Sequence, residues 1–374
     1  MSKGVVLLSA GGTGGHLFPA EALAHELAAR GWEVHLATDA RANRFAGHFP
    51  AKAVHPIASA TFGSKNPIAL MRSFWTIWKG VRQATALLAR IKPVVVVGFG
   101  GYPTLPPLYA ATRRGVPAMV HEQNAVMGRA NKALAARVSA IAGGFLRPSG
   151  TYADKIVQVG NPVRPAVLAL QGAAFEAPKE HDAIKLLVFG GSQGARFFSE
   201  MVPEAIAKLP DAVKKRLRVT QQARAEDETR VNARYTELGV SAEVAPFFSN
   251  LPNKMADAHL VLSRAGASTV LELSVIGRPS ILVPLPHALD DDQGHNAQLL
   301  VDAGAALLRR QPTIDADSLA GDIMSLIGEP NGLARMAASA RGVAQTNATQ
   351  LLADLTEAIA SGKTITEFKE GMRP

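Results

Sequence analysis

Short apolar runs alternate along this chain with longer stretches in which apolar residues recur every three or four positions. The first run, over 5–10 (VVLLSA), breaks into glycines and resumes with helical periodicity over 18–30, where Gly31 closes it. Runs this short and continuous predict strands buried on both faces, and the periodic stretches predict the helices that cover them. A strand follows over 33–38, then a long helical region and a buried run over 94–97. A strand over 117–120 comes after a helix closed by Gly115, and a helix around 129–137 precedes AIAGG. This order belongs to a doubly wound parallel sheet, whose ligands sit beyond the carboxyl ends of the strands.

The second half repeats the first. A strand over 186–190 leads into GGSQGAR and a helix from Phe197, and strands over 260–263 and 280–283 enclose a helix closed by Gly277. The duplication predicts an α/β chain of two Rossmann-like domains facing each other. The stretch over 160–182, rich in Pro, Ala and charge, reads as the linker between them.

Composition narrows the partners. A length of 374 residues accommodates two domains, and 47% apolar with 19% charged residues describes a globular chain. The net charge of +9 favours an anionic partner: nucleic acid, an acidic membrane surface or a phosphorylated substrate. With no cysteine there are neither disulfides nor thiolate metal sites. The ten residues before the glycines are too short an apolar stretch for a signal peptide and lack its cleavage pattern, so a cytoplasmic location is expected. The longest apolar region, over 94–111, is interrupted by glycines and prolines, so membrane contact is expected to be peripheral.

The glycine turns carry the candidate chemistry. In GGTGGH (11–16) a strand gives way to a helix through a loop whose amides lie open, a ready anion site. It is not a dinucleotide fingerprint, because Leu17 stands where the last glycine belongs, and not a Walker loop, because it ends Gly15-His16-Leu17. Similar turns fall at 98–101 and 190–194. HEQN (121–124) sets four polar residues at a strand end, favouring a site over a capping role for Asn124.

Three further segments have two readings each. Over 263–279, Ser268 or Thr269 opens a helix with Glu272 about one turn inside; Glu272 either completes a capping box or accepts bonds from two sugar hydroxyls. Asp290, Asp291, Asp292 and His295 gather on one loop, but consecutive aspartates diverge, and a solvated loop is expected rather than a metal site. Over 65–82, a helix sets Ile68, Met71, Trp75 and Trp78 on one face and Lys65, Arg72, Lys79 and Arg82 on another. It is either a core helix or, given its tryptophans, Phe74 and the near-absence of acids, an interfacial one that meets an anionic membrane.

Taken in order, GGTGGH, GGY, HEQN, GNPVR, GGSQGAR, SRAGA with the following TV and glutamate, and the glutamine before NA resemble the MurG family of bacterial cell-wall glycosyltransferases. The likeness runs from about residue 5 to 297. It implies a GT-B fold: residues 1–163, with a last helix about 343–374 crossing back, hold the lipid acceptor, and residues 164–342 hold UDP-N-acetylglucosamine. It further implies that Thr13, Gly14 and Gly15 lie near the donor, that Asn124 contacts its sugar, and that Arg164 and Ser192 bind the diphosphate. Ala267, Ser268, Thr269, Val270, Leu271 and Glu272 would hold diphosphate and ribose, Phe248 the uracil by its backbone, and Gln293 the N-acetylglucosamine. By the same resemblance Gly100, Gly101 and Tyr102 would form the acceptor-side loop.

The implied reaction is inverting transfer of N-acetylglucosamine to the 4-hydroxyl of the muramyl sugar of lipid I, at the cytoplasmic side of the bacterial membrane. It needs a base, for which His16 is the first choice and Glu122 the alternative, and calls for no cofactor, metal or nucleic acid. Cell-wall and division enzymes are the protein partners such a role suggests. A dehydrogenase is helped by Asp39 near the end of the second strand but opposed by the glycine spacing. A UDP-sugar epimerase would have no use for a basic aromatic helix, and a lipid-binding module would leave the second domain's motifs idle.

Overall fold

Seven parallel strands build the first sheet: β1 (Val5–Ser9), β2 (Glu33–Thr38), β3 (Ala53–Pro56), β4 (Val95–Gly98), β5 (Ala118–Glu122), β6 (Ala140–Gly143) and β7 (Ile156–Gln158). Their order, β3-β2-β1-β4-β5-β6-β7, reverses direction between β1 and β4. The structure is a computed structural model that describes residues 3–11, 14–39, 49–61, 66–286 and 289–371, apart from the side chains at 192–195 and 289. Four helices of this half are α1 (Gly14–Ala29), α2 (Pro67–Ile91), α3 (Leu105–Arg113) and α4 (Arg129–Leu134).

The sheet is buried on both faces because β1 and β4 are apolar at nearly every position. On one face Val6, Leu8, Val95 and Val97 pack with Leu17, Leu23 and Leu27 of α1; on the other, Leu7 and Val96 pack with Leu87 and Leu88 of α2 and Leu108 of α3. Helix α1 begins four residues before the 18 expected from periodicity, directly out of the glycine loop.

Six parallel strands build the second sheet: β8 (Ile184–Phe189), β9 (Leu217–Gln222), β10 (Ser241–Ala245), β11 (Leu260–Ser263), β12 (Ser280–Leu282) and β13 (Ala306–Leu308). The order β10-β9-β8-β11-β12-β13 reverses between β8 and β11. Among its helices are α5 (Gly191–Ala207), α6 (Ala267–Ile276) and α7 (Asp292–Asp302). Gly277 ends α6 in the left-handed conformation at φ 74° and returns its N–H to Leu273.

The chain divides into two units, Met1–Arg164 with Gln345–Pro374, and Pro165–Ala344. The returning segment brings α8 (Ala348–Ala360) onto α1, where Leu352, Leu355 and Ile359 enter the first core. Arg30 at the end of α1 binds Asp354 at 2.5 Å and Glu357 at 2.9 Å, and the Trp32 indole donates to Glu357 at 2.7 Å.

The boundary between the units, at Arg164 and Pro165, falls inside the 160–182 stretch read as the linker, and that stretch is packed at both ends. Val163 and Val167 are buried, Asn161 donates to the Gln123 carbonyl at 2.9 Å, and Arg278 of the second unit donates to the Ala174 carbonyl at 3.0 Å. Its valines are core residues that a reading of proline and charge passed over.

Candidate functional site

In each sheet the reversal of strand order leaves a crevice beyond two carboxyl ends, the place where an open α/β sheet takes a ligand. In the first sheet these ends are the loops after β1 and β4. They are stitched together: Phe99 donates its N–H to the Ser9 carbonyl at 2.8 Å, and Gly11 donates to the Gly100 carbonyl at 3.2 Å.

The His16 imidazole, in the first turn of α1, lies on this stitched surface. Gly100 and Gly101 have φ of 90° and 76°, and a β-carbon on either would stand 3.2 Å from a ring carbon of His16. Two glycines are therefore required both by the turn and by the ring laid over it. Nδ1 of His16 meets Oε1 of Gln123 at 3.2 Å. Burial holds the imidazole below its ordinary pKa of 6.5, outweighing the Gln123 bond, the charge of Glu122 and the Phe99 carbonyl, which act in the other direction.

The alternation of β5 separates the HEQN side chains. His121 and Gln123 lie together: Gln123 Nε2 meets His121 Nδ1 at 2.9 Å, and His121 Nε2 meets the Gly160 carbonyl at 3.1 Å. Glu122 is 2% exposed and gathers the following loop. Its Oε1 accepts from the backbone and side-chain amides of Asn124, both at 3.1 Å. Its Oε2 accepts from Gly128 N–H at 2.9 Å and the Asn131 side chain at 2.8 Å. Four donors fill the lone-pair directions of the Glu122 carboxylate.

Gly14 and Gly15 form the first residues of α1, beside His16, and the Arg164 guanidinium lies over the Phe18 ring at 5.1 Å. His16, Glu122, Asn124, Gly100 and Gly101 thus gather at one sheet end. Tyr102 instead lines a neighbouring cavity of about 680 Å³ with Asp39, Ser59, Thr61 and Gln83. Thr13 and Lys65 lie outside the described residues, as does the side chain of Ser192.

The second sheet repeats the arrangement between β8 and β11. Helix α6 begins at Ala267 with Gly266 as its cap, so no cap side chain bonds its first amides, and no acid stands in its first turn. Such a terminus suits an anion. Ala267, Ser268 and Thr269 are therefore its first three residues, and Glu272 is the sixth. The capping box is excluded, because its glutamate must be the third. Glu272 is 7% exposed.

Gln293 in α7 directs Oε1 to Ala265 N–H at 3.3 Å and Leu285 N–H at 3.1 Å, tying the ends of β11 and β12. Arg264 is a tie as well, donating to the carbonyls of Val283 and Pro284 at 3.0 and 3.1 Å and to Gln311 at 2.7 Å. Phe248 follows the edge strand β10, with Lys254 Nζ 5.0 Å from its ring. On the acidic loop Asp291 is engaged by Arg310 at 2.5 and 2.7 Å, and Asp292 accepts from Gln293 N–H.

Helix α2 changes character along its length. Gly80, Ala84, Leu87 and Leu88 are buried, whereas Ile68, Met71, Phe74, Trp75 and Trp78 are 48–71% exposed. The two tryptophans stack at 5.0 Å, Arg82 lies over Trp78 at 4.9 Å, and the exposed side chains line a groove of about 860 Å³ with Arg72. The core-helix reading holds only for the carboxyl half. Among the described residues no helix is long and apolar enough to cross a membrane.

Two further residues, Gln123 and Asn131, escaped assignment from sequence. Gln123 stood inside the quoted HEQN run; Asn131 had no signal beyond following it.

Residues 6–142 match the glycosyltransferase family 28 N-terminal domain, and residues 185–355 match the family's C-terminal domain. A protein of Mesorhizobium japonicum named UDP-N-acetylglucosamine--N-acetylmuramyl-(pentapeptide) pyrophosphoryl-undecaprenol N-acetylglucosamine transferase is 62% identical over 99% of each chain. A Brucella canis protein of the same name is 58% identical over 100% of this chain and 99% of its own. Among solved structures, Acinetobacter baumannii MurG matches with a TM-score of 0.77 at 29% identity, covering 95% of this chain and 99% of that one. The two-sheet α/β architecture is thus the GT-B type of these glycosyltransferases.

Proposed function

The chain belongs to glycosyltransferase family 28, and on that premise we propose that it transfers N-acetylglucosamine from UDP-N-acetylglucosamine to the muramyl 4-hydroxyl of undecaprenyl-pyrophosphoryl-N-acetylmuramyl-pentapeptide. The observation that carries this reading is 62% identity, over nearly the whole of both chains, to a relative named for that transfer.

The residues supply a division of labour. His16 takes the proton of the acceptor hydroxyl as its oxygen attacks the anomeric carbon from the side opposite UDP; the carbon–oxygen bond to UDP breaks and the configuration inverts. Negative charge grows on the leaving diphosphate. The amides at the start of α6 meet that charge, and Glu272 accepts from the ribose hydroxyls; Arg164 is assigned to the diphosphate as the family resemblance implies. Gln293 Nε2 addresses the sugar, with Asn124 and the 100–102 loop assigned to sugar and acceptor as the family resemblance implies.

The exposed amino half of α2 is assigned to the cytoplasmic face of the membrane, where the lipid-linked acceptor lies. Its apolar side chains stand beside Arg72 and Lys79, the composition of an interfacial helix.

The test is incubation with UDP-N-acetylglucosamine, with and without a lipid I analogue. UDP release that depends on the analogue is expected; equal release without it would remove the transferase reading. His16→Ala is expected to lower turnover by ~100-fold or more while donor affinity stays nearly intact. A variant with normal turnover and weak substrate binding would move the base elsewhere.

A further inference from the structure

We propose that Gln123 is a positioning residue that keeps the proton of neutral His16 on Nδ1 and so reserves the Nε2 lone pair for the acceptor hydroxyl. The inference rests on the reading of His16 as the base and adds what makes it competent.

The argument is one of donors and acceptors. The Gln123 atom assigned as Nε2 stands 3.0 Å from the Phe99 carbonyl and 3.1 Å from the His121 carbonyl. Carbonyl oxygens only accept, so that atom must be the NH₂ group, and the orientation of the amide follows from its neighbours. The other atom, Oε1, is then the one facing His16 Nδ1 at 3.2 Å. An amide oxygen only accepts, so a neutral His16 must carry its hydrogen on Nδ1. Nε2 is left unprotonated, as a base requires.

The relay continues inward. His121 Nε2 faces the Gly160 carbonyl at 3.1 Å and must donate to it, leaving Nδ1 to accept from Gln123 at 2.9 Å. His121 is fully buried. The same burial holds its pKa down at about 4, so the relay does not change its protonation near neutrality. Among the described residues the ionisable groups around the His16 ring are Glu122 and His121, both on β5, and the loop over which the ring lies contributes Phe99, Gly100 and Gly101.

Two substitutions and one spectrum test this. Gln123→Met keeps the length of the side chain and removes the acceptor; kcat is expected to fall by ~10- to 100-fold with KM for the donor unchanged, part of the ~100- to 10,000-fold value of a positioned base. Gln123→Glu offers a carboxylate to Nδ1, which favours imidazolium, so the acidic limb of the kcat/KM profile should move to higher pH. A merely structural role would lower activity without moving that limb. Independently, ¹⁵N spectra of histidine-labelled wild-type protein, with the His16 resonances identified by their loss in His16→Ala, should show Nδ1 protonated at neutral pH. This measurement needs no folded Gln123 variant. Protonation at Nε2, or Gln123→Met with wild-type kcat and an unmoved limb, would overturn the proposal. Full turnover in His16→Ala would instead remove the base reading, while the spectrum still decides the tautomer.

Discussion

The Glu122 carboxylate accepts the side-chain amide of Asn131 at 2.8 Å, nine residues along the chain. That bond, with those from Asn124 and Gly128, makes Glu122 the centre around which the loop after β5 folds.

Glu122→Ala is therefore expected to cost stability first. It leaves buried donors unanswered, and hydrogen bonds to a charged group contribute ~1.5–3 kcal/mol each. Urea denaturation should register a loss of about 3 kcal/mol or more, with turnover falling as the loop loosens. Native stability combined with abolished turnover would point to Glu122 as the base.

His121 makes stability depend on pH. Its native pKa is about 4, and an unfolded histidine titrates near 6.5. Between those values the unfolded chain binds a proton that the native one refuses. The contribution is complete above pH ~6.5 and is lost as pH falls to ~4, a total of about 3 kcal/mol. His16, His55 and His259 are also lowered by burial and add to the slope. Urea melts of wild type and His121→Gln across this window isolate the His121 share. Parallel stability curves would show that His121 does not titrate as argued.

With the capping box excluded, Glu272→Ala should weaken UDP binding far more than it lowers the melting temperature. The bonds at issue, from ribose hydroxyls to a charged acceptor, contribute about 1.5–3 kcal/mol. Calorimetry giving unchanged UDP affinity alongside a large drop in melting temperature would return Glu272 to a structural role.

Helix α2 offers a separable surface. Replacing Trp75, Trp78, Arg72 and Lys79 together should release the protein from anionic vesicles, since each basic residue at such a surface contributes about 1 kcal/mol and the tryptophans add apolar burial. All four side chains are exposed, so folding should survive. Undiminished vesicle sedimentation would rule out the membrane assignment.

Sequence by itself determined the two parallel-sheet halves, the strand-glycine-helix turns and the aromatic helix, because continuous apolar runs, glycine at a turn and a 3.6-residue period are local signals. It could not separate core from interface along α2. Only the packing of Ala84, Leu87 and Leu88 on the first sheet, with Phe74, Trp75 and Trp78 left outside, divides that helix. Nor could it exclude a capping box at Glu272, which turns on where α6 begins; Gly266, with ψ of 150°, sets that start. The roles of His16, Glu122 and Gln123 lay furthest from sequence. Gln123 reaches His16 across 107 residues, through the reversal of strand order that brings β1, β4 and β5 side by side. A hydrogen bond at that separation has no local pattern, and which atoms accept and which donate is decided only when the tertiary fold sets their partners around them.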